Sequence, residues 1–208
     1  MKEIKESCYK WTRILLWDLK RTVINNAVEF LKSEWFVEIS IPIIQPQEIF
    51  SGKVWEENNN MMFNFKDRWD RDVCLAPEYT AVIQRLAKTY FNSKRDLKVF
   101  YVQECFRGER PQKWRYRQFT QLWVEIINPK KDYMDYLISI AVSVLTPLWW
   151  EYVVDKDATR WLDYYTWWKW FEISNESLWA QKQVCWGWEY DWWIWFAIWI
   201  DRVLETIR

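Results

Sequence analysis

Residues 106–125 read FRGERPQKWRYRQFTQLWVE, the densest set of groups in the chain that could do chemistry. Arg107 and Glu109 stand at the end of a strand-like run, and Arg110, Lys113, Arg115 and Arg117 follow on a basic loop. Gln121 and Glu125 then share one face of the returning strand by period two. Planar guanidinium groups grip phosphate through paired N–H donors, and a loop carrying several suits a triphosphate. A solvated basic turn between edge strands has the same composition, so the loop alone leaves both readings open. With no histidine, the chain offers no Ser/His/Asp or Cys/His set for nucleophilic catalysis. Cys8, Cys74, Cys105 and Cys185 lie far apart without a C-x-x-C pair, which favours buried reduced thiols over a metal site or disulfides.

These residues need elements to position them. Apolar residues at helical spacing (Leu15, Leu19, Val23, Ala27, Phe30, Leu31) predict a long amphipathic helix over 12–33. Residues 37–46 read as a β-branched strand closed by prolines, and 51–60 as a polar loop. A hairpin is expected on either side of a turn at 67–70, then a helix from Glu78 to Phe91. Strands at 98–107 and 118–127 enclose the basic loop, a helix covers 131–146, and several short strands fill 150–200 before a last helix. The fold class expected is α+β, with a mainly antiparallel six-stranded sheet flanked by helices.

Length and charge set the wider bounds. A chain of 208 residues suits a single domain with a real core. Lys+Arg and Asp+Glu balance at 29 each, so only a local patch could attract nucleic acid. No run of about 18 apolar residues suggests a membrane span, and MKEIKESCYK lacks a signal-peptide core, so a cytoplasmic location is expected.

The 106–125 segment closely resembles motif 2 of class II aminoacyl-tRNA synthetases, in the form R-x-E-R-P-Q-K-G-R-Y-R-x-F-x-Q of histidine–tRNA ligases. Other stretches follow in family order. YKWTR (9–13) resembles K-G-T-R, and EWFVEISIPIIQP (34–46) resembles motif 1, with Pro42 at the dimer-interface proline. CLAPEYTA (74–81) is similar to L-R-P-E-G-T-A, and RWLDYYT (160–166) to R-G-L-D-Y-Y. VCWGWEYD (184–191) is similar to C-G-G-G-R-Y-D, and WFAIWIDR (195–202) to motif 3, G-x-G-x-[DE]-R.

The resemblance implies ATP-dependent activation of L-histidine and its transfer to tRNA(His), with Mg²⁺ arriving as the partner of ATP. For ATP it implies Arg107 on the α-phosphate, Glu109 near adenine, Arg115 from the loop and Arg202 on the γ-phosphate. For histidine it implies Glu78, Thr80, Gln121 and Glu125 around the ammonium, and Tyr164, Tyr165 and Tyr190 around the imidazole. Arg160 matches the arginine that supports the α-phosphate, which with Arg107 makes the catalytic pair; no metal ligand is implied. A homodimer through the Pro42 region is expected. Ala76 and Tyr79 depart from the Arg and Gly of L-R-P-E-G-T. About 30 residues separate Pro129 from Arg160 and the sequence stops shortly after Arg202, so a single catalytic domain, without an anticodon-binding domain and with a reduced insertion, is expected, either as a stand-alone core or from a truncated gene. The alternative is the non-catalytic paralogue that regulates ATP phosphoribosyltransferase, which usually lacks these arginines. A third reading is an amino-acid-activating enzyme that acts on something other than tRNA.

Composition carries one further anomaly. There are 20 Trp and 3 Gly, where average usage gives roughly 15 glycines. Trp11, Trp35, Trp69, Trp114, Trp123, Trp161, Trp186, Trp188, Trp195 and Trp199 stand where the family motifs have glycine. Glycine and tryptophan are physical opposites, but one codon joins them: UGA is tryptophan in some genetic codes and glycine in others. The expectation is a gene that uses UGA for glycine, written out with tryptophan.

Overall fold

The computed structural model describes residues 17–50, 61–108, 115–148, 151–158, 170–178, 182–190 and 193–207. Helix α1 (Trp17–Ser33) buries Val23, Ala27 and Leu31 along one stripe, as its spacing predicts. Asp18 in its first turn and Lys32 in its last complement the helix dipole. The helix closes in a Schellman motif, in which Phe36 N–H bonds the Leu31 carbonyl at 3.0 Å and Trp35 N–H bonds that of Lys32 at 3.1 Å. The residue in the left-handed position is Trp35, with φ 65.

The strand expected over 37–46 is two strands. β1 (Val37–Glu38) runs parallel to the later strand that holds Val99 and Phe100, whereas β2 (Ile44–Pro46) belongs to a second sheet. Pro42 lies between them and has no N–H with which to continue a ladder. Its carbonyl accepts from Gln45 Nε2 at 2.5 Å, which turns the chain towards the second sheet. The expected hairpin forms from β3 (Asn64–Lys66) and β4 (Asp72–Leu75). Its turn is tied by Asp67 Oδ1, which accepts from the N–H groups of Trp69 and Arg71.

Helix α2 (Thr80–Tyr90) leads into β5 (Leu97–Phe106), which pairs antiparallel along its whole length with β6 (Gln118–Ile127). Helix α3 (Met134–Leu145) and short strand β7 (Val153–Asp155) come next. Strands β8 (Trp170–Ser174), β9 (Gln183–Tyr190) and β10 (Trp193–Trp199) precede helix α4 (Ile200–Thr206). Among the described residues the main sheet has seven strands in the order β1-β5-β6-β10-β9-β8-β7, and β2-β4-β3 form the smaller one. Every pairing in the main sheet is antiparallel except β1–β5. The α+β class is therefore as expected, with one strand more than the six predicted.

The main sheet carries a core on each face. On one, Val23, Leu31, Leu137, Ala141 and Val203 of α1, α3 and α4 cover Phe100, Leu122, Val124 and Phe196. On the other, Ile83 and Ala87 of α2 and Cys74 of β4 pack with Tyr101, Trp123, Trp188 and Trp195. The pleat alternates residues between these faces, and it sends all the expected site residues of β6 to the second.

Candidate functional site

Glu125 and Gln121 lie two pleats apart on β6, and both are buried, at 1% and 2% exposure. Tyr101 on β5 donates its hydroxyl to Glu125 Oε1 at 2.5 Å, reaching along the diagonal between strands. Glu125 Oε2 is buried with no hydrogen-bond partner. Burial pushes the Glu125 carboxyl up to about 8; the nearby charge of Glu78 adds to this and the Tyr101 hydroxyl opposes it. Gln121 Oε1 accepts from Cys105 Sγ at 3.6 Å.

Glu78 precedes α2 and caps it. Its carboxylate accepts from the backbone N–H groups of Thr80 at 2.6 Å and Ala81 at 3.1 Å, which otherwise lack partners at a helix start. Burial also raises the Glu78 carboxyl, against those hydrogen bonds and Arg107. The charge of Glu78 reaches the same place and raises both Glu125 and Tyr101. Two carboxylates held above their ordinary range in one place form a site that a cation would relieve.

The arginines lie on the same face, with Arg107 beside Glu78. Arg107 leaves β5 with Nε donating to the Pro77 carbonyl at 2.8 Å, and its backbone N–H donates to the Arg117 carbonyl at 2.8 Å. Next to it, Gly108 N–H reaches the Met61 carbonyl at 2.6 Å, and a Cβ there would come within 3.2 Å of that oxygen. Arg202, in the first turn of α4, is 5% exposed and donates to the Gln183 carbonyl at 2.9 Å. Both guanidinium groups stand over the ring of Trp199, which stacks on Phe119 at 4.6 Å. Arg115 is exposed beyond them, where the chain enters β6.

The structure thus brings Glu78, Thr80, Gln121 and Glu125 onto one face with Arg107 and Arg202, Arg107 standing beside Glu78 and both arginines over Trp199, the partner of Gln121. Tyr190 ends β9 in register with Trp193, on the strand flanking β10. Arg160, Glu109, Tyr164 and Tyr165 lie outside the described residues. Sequence reasoning missed Tyr101, the hydrogen-bond partner of Glu125. The available signal was a tyrosine at an inward position of a long strand, since a buried hydroxyl requires an acceptor. It also missed what Tyr79 does in the place of a family glycine. The Tyr79 ring is fully buried edge-on to Tyr101 and Trp123, and its hydroxyl donates to the Glu104 carbonyl at 3.1 Å.

A second polar cluster backs the site from the opposite face. Lys20 of α1, 3% exposed, donates to Glu104 Oε1 at 3.2 Å and to Thr120 Oγ1, and lies 4.0 Å from Asp201 Oδ1. Asp201 accepts from Thr120 N–H where β10 gives way to α4, so its side chain continues the ladder that β10 leaves. One buried ammonium therefore joins α1, β5, β6 and the turn of α4 that carries Arg202.

Comparison with known proteins places this geometry. A family model described as Histidyl-tRNA synthetase matches residues 17–148. Histidine–tRNA ligase of Methanococcus maripaludis is 38% identical over 112 residues, which are 53% of this chain and 27% of that protein. The Ureaplasma urealyticum ligase is 38% identical over 135 residues, 62% of this chain and 32% of its own. The chain spans about a quarter to a third of the length of these curated relatives. Among solved structures, apo histidyl-tRNA synthetase of S. aureus superposes with TM-score 0.74 at 22% identity, covering 97% of this chain and 70% of that one. A Bacillus halodurans protein described as an ATP phosphoribosyltransferase regulatory subunit/histidyl-tRNA synthetase superposes with TM-score 0.78 at 14% identity, covering 100% and 84%. At these identities the two structures speak to the fold.

Proposed function

The chain belongs to the histidyl-tRNA synthetase family, and on that premise we propose that it acts as the catalytic core of a histidine–tRNA ligase. The observation that carries this reading is the buried, half-satisfied Glu125 beside Gln121 and Glu78, on the same face as Arg107 and Arg202. A buried acceptor without a donor is expensive, and a ligand ammonium supplies both the hydrogen bond and the charge that Glu125 lacks.

In the proposed reaction the carboxylate of histidine attacks the α-phosphate of ATP in line, and pyrophosphate leaves. A hydroxyl of the terminal ribose of tRNA(His) then takes the histidyl group from the adenylate, and AMP leaves. Glu125, Gln121, Glu78 and Thr80 hold the amino-acid head group, and Tyr164, Tyr165 and Tyr190 surround its imidazole. Arg107 and Arg160 stabilise charge building on the α-phosphate, while Arg202 takes the γ-phosphate, and Glu109 and Arg115 complete the nucleotide site. No side-chain nucleophile takes part, because the substrate carboxylate is the nucleophile. Mg²⁺ belongs to the triphosphate and is held chiefly by phosphate and water oxygens. The working unit is a homodimer joined through the Pro42 region, acting in the cytoplasm. Among the described residues no helix is long and apolar enough to cross a membrane.

Histidine-dependent exchange of pyrophosphate into ATP tests the activation step, and charging of tRNA(His) tests transfer. The same fold leaves a second reading, a histidine-sensing regulatory subunit of ATP phosphoribosyltransferase. Arg107 and Arg202 on the site face favour the ligase. Histidine binding with no exchange, by a chain carrying the residues its gene specifies, would replace the first reading with the second.

A further inference from the structure

The tryptophans share one surface to a degree that composition alone does not require. On the pleat that carries Gln121 and Glu125, Trp123 stands between them, Trp195 pairs with Glu125 and Trp199 pairs with Gln121. Across β9, Trp186 and Trp188 pair with Ala197 and Trp195. The rings close into a solid layer, with Trp188–Trp195 centroids 4.4 Å apart and Trp186–Trp195 4.9 Å apart. That layer lies over the carboxylates and arginines just described, where a ligand would have to go.

Three features mark these indoles as misfits. The ring N–H groups of Trp186, Trp195 and Trp199 are buried without a hydrogen-bond acceptor, a state that costs stability. Trp123 and Trp195 are 2% and 0% exposed, so neither offers a ring face for stacking on a base or entering a membrane. Far from this layer, Trp35, 85% exposed, occupies the left-handed position of the Schellman motif. Glycine takes that position because any Cβ there meets the backbone. A helix end that wants glycine for backbone reasons and a sheet face that wants it for space have nothing in common but the residue.

We infer that positions 35, 123, 186, 188, 195 and 199 are glycine in the working protein, decoded from UGA codons. The sheet face between Glu125 and Arg202 then carries only Gln121 and the small Ala197 on backbone, and the indole layer marks the volume of an open ligand chamber. The inference rests on the backbone geometry and on family membership, and stands apart from the proposed activity.

The coding DNA and the protein isolated from its source cells test it. UGA at these six codons, with peptides spanning 183–202 that carry glycine by mass spectrometry, is the expected result. UGG codons overturn it, and so do UGA codons whose peptides carry tryptophan. The chamber is tested separately by titrating ATP·Mg into the full chain made in both forms. The glycine form should bind at least about tenfold more tightly, a difference of about 1.4 kcal/mol. Equal affinity in two folded forms would show that the indoles do not occupy ligand space. Glycine in the peptides together with absent pyrophosphate exchange would sink the ligase reading and leave this one standing.

Discussion

The guanidinium carbon of Arg202 stands 4.1 Å from the ring centroid of Trp199, and Arg107 shares that ring at 5.7 Å. Arg202 comes from the first turn of α4 and Arg107 from the end of β5, so the pair exists only once β6 has paired with both β5 and β10. The ring face attracts each cation but leaves their N–H donors without paired oxygen acceptors; a polyphosphate between them would be matched in charge and in donor geometry.

Replacing either arginine by lysine, in the chain with glycine at the six positions, should slow histidine-dependent pyrophosphate exchange by about 10²–10³-fold. Lysine keeps the charge and loses the planar fork, so it should not rescue. Arg85→Ala, which removes an exposed ion pair to Glu48 at 2.8 Å, should leave exchange within about twofold. Steady-state exchange assays on the three variants decide this, and equal losses would show that the two arginines have no special place.

In the tryptophan-bearing chain, where indoles cover the site, Glu125 makes stability depend on pH in an unusual direction. Its folded carboxyl titrates at about 8, above the ordinary value of 4.5 that applies in the unfolded chain. Between those values the folded state holds a proton that the unfolded state has lost, so stability should fall as pH rises from about 5 to about 8 and level off beyond. Glu78, also raised, adds to the slope. Urea unfolding across that range should show the decline, and Glu125→Gln should flatten most of it.

Lys20 neutralises part of a buried acidic cluster on the far side of the sheet. Lys20→Met leaves Asp201, 2% exposed, without that ammonium and should cost about 3–5 kcal/mol in urea unfolding. Adding Glu104→Gln and Asp201→Asn to it should restore part of the loss, because the uncompensated charge goes with them. A cost below about 1 kcal/mol would place the ammonium in a solvated rather than a buried setting.

In the tryptophan-bearing chain, Trp35→Gly should raise stability by about 1–2 kcal/mol, the cost of holding an L side chain in the left-handed region. Trp35→Ala should recover little, since the strain comes from Cβ rather than the indole. Thermal or urea melts of the two variants separate backbone strain from ring exposure.

Periodicity alone was enough for α1, the 64–75 hairpin, α2 and the β5–β6 pair, because each is a local pattern matched to 3.6 or 2 residues. It was not enough for 37–46, where the β-branched run looks continuous. There the break at Pro42 and the move of β2 to another sheet depend on what each half finds to pair with.

The motif order along the chain determined the family, and the residue types of Arg107, Arg202, Gln121 and Glu125 determined what chemistry the site could do. Which groups meet was left to the tertiary structure. Lys20 and Thr120 are 100 residues apart in sequence and in contact in space. Tyr101 answers Glu125 only through the register of β5 on β6. The tryptophans, too, were countable in the sequence, but that they crowd one face over the site, and that Trp35 holds a left-handed backbone, follows from strand pairing and a dihedral angle. Composition records which side chains are present; burial and backbone conformation, which decide whether an indole or a bare glycine belongs at a position, arise only when distant segments pack.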